Sequence, residues 1–116
     1  MGLAEETILI EDNRTAHEEM ARLDALAVEA EIKNRDAKMA FEEVQDEMNY
    51  RYKEFIKSDP IGAKMEVRKG TASKFAEWVQ AETEWWKAKL AYRQAGYKVD
   101  CIKNEIELQK SALGTH

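Results

Sequence analysis

Apolar residues recur along this chain at alternating spacings of three and four, and they do so in two separate runs. In the first run, Met20, Leu23, Ala27, Ala30, Asn34, Ala37, Phe41, Val44, Met48, Arg51 and Phe55 keep the spacing, and nine of the eleven positions are apolar. In the second, Trp78, Ala81, Trp85, Ala88, Tyr92, Ala95, Val99, Ile102, Ile106, Gln109 and Leu113 keep it, and ten of eleven are apolar. A repeat of 3.5 residues is the signature of a heptad seam between two helices, and it is narrower than an ordinary amphipathic face.

Boundary signals place the two helices. Thr15 and Glu18 form a T-x-x-E capping box that predicts the first helix start. Asp59-Pro60 predicts its end, because proline disfavours helix at the residue before it. Asp59 is also a suitable N-cap with Pro60 at the first helical position, so a short helix is expected from Pro60 to Lys69. Gly70 reads as a break, followed by a second helix capped by Thr71 or Ser73. The expected organisation is one domain: an N-terminal segment 1–14, helix one over 15–57, a basic connector over 58–72 and helix two over 73–112. Folding back near residue 65 would set Val99–Ile106 against Ala27 and Ala30, large against small. The fold class is all-α: a long antiparallel, coiled-coil-like hairpin with a short helix or turn at its tip.

Apolar residues off the seams change this picture. Val79, Trp86, Leu90, Tyr97, Cys101 and Leu108 form a second stripe on helix two, and Val28, Ile32 and Met39 a smaller one on helix one. One seam buries too little surface for so thin a structure, and an exposed apolar stripe marks an interaction surface. The reading is assembly into a homo-oligomer, with Val79, Trp86, Leu90, Tyr97 and Leu108 at the interface. The alternative is that the N-terminal segment or the short helix covers them. Asn34, polar within the seam, either sets register at a cost in stability or marks where the seam frays.

Composition supports long helices: 35% of the residues are charged, with one proline and five glycines in 116 residues. Cys101 is alone, which excludes an internal disulfide framework and points to a reducing compartment. The opening MGLAEETILIED has no basic n-region, and no run approaches the ~20 apolar residues that span a bilayer. The expected location is the cytoplasm, with no membrane partner. His17 and His116 lie at opposite ends, no Glu-x-x-His pair occurs, and there is no glycine-rich phosphate loop. No enzyme, cofactor or metal site is expected.

Charge carries the most functional information. Residues 1–50 hold five basic and fourteen acidic side chains, a net of −9, whereas residues 51–98 hold eleven basic and six acidic, a net of +5. Complementarity between two paired helices accounts for part of this. It accounts less well for Arg51, Lys53, Lys57, Lys64, Arg68, Lys69 and Lys74, crowded around the expected tip. Tyr50 and Tyr52 interleave with them. Cations for phosphates and ring faces for unstacked bases are what a single strand requires.

The layout resembles the UvsY-type recombination mediator proteins of bacteriophages. The matching features are the start Ile8-Leu9-Ile10-Glu11-Asp12 and a first helix ending in Tyr50-Arg51-Tyr52-Lys53. After the basic stretch Lys64 through Lys74 come Val79, Glu82, Glu84-Trp85, Leu90 and Tyr92, closing on Ile102, Ile106 and Leu113-Gly114. The family's paired aromatics are interrupted here by Arg51 and followed by Glu54 and Asp59. The resemblance implies a non-enzymatic oligomer that binds single-stranded DNA. It further implies helping a RecA-like recombinase displace a single-strand binding protein, in the host cytoplasm if phage-encoded. Arg51, Lys53 and the connector cations would then contact DNA. The competing reading is an acidic helical hairpin, an interaction or inhibitor module, that docks on another protein without binding DNA.

Overall fold

The computed structural model describes residues 3–114, and the surroundings of side chains from residue 7 to residue 112. Leu113 of the second seam and His116 therefore lie outside the described side chains. Three helices follow one another: α1 (Leu3–Arg51), α2 (Lys53–Ser58) and α3 (Pro60–Gly114). Among the described residues there is no strand, and only Tyr52 and Asp59 stand outside a helix.

α1 does not wait for the capping box. It is already helical at Leu3, and Thr15 is exposed within it. The reason is that the seam itself extends upstream: Leu9, Asn13 and Ala16 continue the three-four spacing and are at least half-buried. Nothing between Ala4 and Thr15 breaks a helix, so a capping box in mid-run has no terminus to cap. At the other end the ladder survives the irregular Tyr52. Its N–H donates to Met48 O at 3.0 Å, and its carbonyl accepts from the Ile56 N–H at 2.9 Å. The seam position there is the half-buried Tyr52; Arg51 and Phe55 are exposed.

The chain reverses at Asp59, not near residue 65. Asp59 has φ −146° and ψ 81°. Its Oδ1 accepts the Gly62 N–H at 3.0 Å, and Pro60 occupies the first helical position, where a missing N–H costs nothing. A cap of this kind stabilises a helix by about 1 kcal/mol. The expected basic connector over 58–72 is accordingly helix from Pro60 on, and Gly70 is no break. A Cβ at Gly70 would meet only the flexible thioether end of Met48, which places that side chain of α1 beside this turn of α3. Thr71 caps nothing; it is buried and donates its hydroxyl to Val67 O at 2.8 Å, one turn back.

The contacts group into two units, residues up to Val28 with those from Lys87 onward, and Glu29–Trp86. In the first unit a Cβ at Gly96 would stand 3.6 Å from Met20 Cε, and Lys98 bears on the charge of Glu19. The Glu19 carboxyl is held below its ordinary range by a hydrogen bond from Arg22, opposed by partial desolvation and aided by the charges of Arg22 and Lys98. This register sets the buried Val99 level with Ala16 and Met20, so the expected pairing with Ala27 and Ala30 is displaced by the earlier turn.

The second unit is a helical hairpin. Phe41 of α1 stacks on Trp78 of α3 at 5.4 Å and 29°, and meets Phe75 at 5.5 Å. Large side chains thus face large ones here. Every described position of the second seam is at least half-buried. The off-seam residues Val28, Ile32, Met39, Val79, Trp86, Leu90, Tyr97 and Leu108 are all exposed. The N-terminal residues are part of α1 and leave them so.

Asn34 sits half-buried in the seam, and its Oδ1 is shut from solvent without a hydrogen-bond donor. An unsatisfied buried acceptor costs roughly 1–3 kcal/mol. Replacing Asn34 with Leu should raise stability by about 1 kcal/mol in a urea titration, with an unchanged slope. A loss of stability would show instead that the carbonyl finds its donor in the assembled protein.

Candidate nucleic-acid interface

All seven basic residues singled out above belong to the second unit. Arg51 ends α1, Lys53 and Lys57 are on α2, and Lys64, Arg68, Lys69 and Lys74 are on the first five turns of α3. Four of them are engaged by acids one turn away. Arg51 donates to Glu47 at 3.2 Å, Lys57 pairs with Glu54 at 3.6 Å, Lys69 with Glu66 at 3.6 Å and Lys74 with Glu77 at 3.3 Å. These are exposed pairs, worth about 0–1 kcal/mol each, and a phosphate could displace the acid at little cost.

The other three differ. Lys53 places its ammonium 5.4 Å from the centre of the Tyr50 ring. Lys64 and Arg68 have no acidic partner among the described residues. Four residues apart on α3, they stand one helical turn from each other on one face. Their charge is uncompensated locally, which sets them apart within the cluster.

The aromatics divide in the same way. Tyr50 is 77% exposed, so its ring offers a face to solvent. Tyr52 is half-buried and packs its ring against Phe55 at 6.1 Å. The exposed tyrosine has the geometry of a stacking platform, and the other is part of the local packing.

Lys64 and Arg68 also line a cavity of about 720 Å³ within this hairpin. Phe41, Gln45 and Asn49 reach it from α1, Ile56 from α2 and Phe75 from α3. Phe41, Gln45 and Asn49 are four apart, so they share one face of α1 that leads from the seam at Phe41 to its flank. Beneath them α3 carries small or short side chains, with Ala63 fully buried and Val67 and Thr71 nearly so. Large residues at the rim and small ones at the floor leave the space open. Gln45, Asn49 and Phe75 were not singled out from the sequence. Gln45 and Asn49 flank a seam without belonging to it, and Phe75 followed what read as a break at Gly70.

The expected oligomer-interface residues stand apart from this end of the hairpin's chemistry. Val79 and Trp86 are exposed on α3 in the second unit; Leu90, Tyr97 and Leu108 are exposed on α3 in the first. Among the described residues no three of His, Cys, Asp and Glu are grouped so as to hold a metal ion, and Cys101 is exposed. No protein-family model, curated protein or solved structure matches this chain.

Because Lys64 and Arg68 hold nothing in place, replacing both with Ala should change stability by no more than about 0.5 kcal/mol. Circular dichroism during thermal unfolding checks this. A larger loss would mean that the pair supports the hairpin, and would disqualify it as a surface reserved for a ligand.

Proposed function

We propose that this chain is a non-enzymatic, oligomeric protein of the recombination-mediator type. It binds single-stranded DNA in the cytoplasm and assists a RecA-like recombinase in loading where a single-strand binding protein competes. The observation that carries the DNA-binding part is the uncompensated pair Lys64 and Arg68, one turn apart on α3. The exposed Tyr50 and its neighbour Lys53 add the ring and cation that strand binding uses. The part concerning a recombinase rests on the family resemblance. No helix among the described residues is long and apolar enough to cross a membrane.

Self-association is proposed from the first unit's outer stripe. Leu90, Tyr97, Cys101 and Leu108 follow spacings of seven and four, so that Leu90 with Cys101 and Tyr97 with Leu108 are each eleven residues apart. Eleven residues make three turns at 3.67 per turn, close to the helix's own 3.6, and such a repeat runs nearly straight along a helix. A straight line of exposed leucines and a tyrosine on a helix already seamed on another face fits a second helix from another copy. Leu90→Glu should reduce the mass in light scattering to that of a monomer, because a charge at a buried contact is costly. Unchanged mass and helicity would remove this stripe from the interface.

A second reading has an observation of its own. Arg51, Lys57, Lys69 and Lys74 are each neutralised by their own helix, whereas Glu43 and Asp46 on α1 are exposed without a cationic partner. That balance suits an acidic hairpin docking on a protein. A titration with single-stranded DNA at two salt concentrations separates the two. The DNA reading expects affinity to fall with salt, at a slope of roughly −0.7 per phosphate neutralised. It also expects Lys64→Glu with Arg68→Glu to weaken binding for every sequence alike. A flat titration in ~50 mM salt, with the oligomer confirmed in the same sample, selects the docking module.

A further inference from the structure

We infer that the cavity at the Asp59 end of the hairpin takes one unstacked nucleobase of a bound single strand, with that nucleotide's phosphate on Lys64 and Arg68. This deepens the single-strand reading above and rests on it.

A nucleotide presents three chemistries: a flat apolar face, an edge of hydrogen-bond donors and acceptors, and an anion. The cavity wall supplies a counterpart to each. Phe41 and Phe75 offer ring surface, and Phe75 is half-exposed, so its ring is not used up by the contacts with Phe41 and Trp78. Gln45 and Asn49 offer amides, and neither side chain has a hydrogen-bond partner among the described residues. An amide can donate and accept at once, which is what a base edge asks for. Lys64 and Arg68 supply the positive charge, and no local acid offsets either of them.

The volume agrees. About 720 Å³ falls within the range of small-molecule sites. An aliphatic anion would use the apolar wall and the cations but make no use of the two amides, whereas a base edge can exchange hydrogen bonds with both. Recognition by stacking and edge contacts also requires the base to be out of a duplex, so the site discriminates single strands from paired ones.

The test compares the full chain's affinity for a short single-stranded oligodeoxynucleotide with that for an abasic strand of equal length, in the same low salt. The base-bearing strand should bind about tenfold more tightly, as stacking contributions imply. Ala72→Trp, at an exposed lining position, should put an indole where the base would stack and remove this preference, leaving the abasic affinity within about twofold of wild type. Equal wild-type affinities for the two strands would overturn the base site and leave a backbone-only contact; this comparison needs no variant to fold. A preference that survives in a folded Ala72→Trp protein would overturn it as well. Displacement of a cavity-bound fluorescent dye by dodecanoate, but not by deoxyadenosine monophosphate, would assign the cavity to an aliphatic anion. Binding of neither strand would bring down the single-strand reading and the base site with it.

Discussion

Two helices lying side by side share one line of contact, and a side chain on that line has neighbours on one flank and water on the other. Most of what distinguishes this protein follows from that limit. Among the described residues only Ala16, Ala63, Val67, Val99 and Thr71 are buried, and none of the tryptophans joins them. Trp78, Trp85 and Tyr92 occupy the first half of a nearly unbroken apolar seam and are still only half-covered. A seam that cannot enclose its own aromatics leaves no room for a second stripe. Trp86, Leu90, Tyr97 and Leu108 therefore remain in water unless another chain covers them.

The same limit shapes the polar side. With so little buried surface, charges cannot be organised by a core, and they organise along the helices. Glu47 with Arg51, Glu54 with Lys57, Glu66 with Lys69 and Lys74 with Glu77 are each one turn apart. Such pairs add little stability and break easily. Their effect on function is to mute most of a basic cluster, so that Lys64 and Arg68 stand out against a chain of net charge −5. Net charge alone argues against an anionic ligand. Local compensation shows where one could still bind.

The cavity depends on how abruptly the hairpin turns. Asp59 alone separates α2 from α3, and its carboxylate caps the new helix at once. Ile56 and Pro60 are thereby brought to the same space as Phe41 and Phe75, although these lie about thirty residues apart in the chain.

Much of this was written in the residues themselves. The three-four spacing names nearly every seam position correctly, because burial along a helix pair follows the periodicity of the helix and nothing else. Asp59-Pro60 carries the cap, since that chemistry is confined to four consecutive residues. Even the isolation of Lys64 and Arg68 is legible: no acid stands three or four positions from either, whereas one does from Arg51, Lys57, Lys69 and Lys74. Counting charges by segment concealed it. Other features have no local cause. That Met48 of α1 lies against Gly70 is not written in the neighbours of either residue. The level of Val99 with Ala16 is set by which turns of α1 and α3 pack together, as Met20 does beside Gly96, and not by the neighbours of either residue. The cavity is built from three helices at once. A repeat is a property of neighbours along the chain, and the sequence determines it; register and enclosed space are properties of segments that meet across the fold, and only their packing decides them.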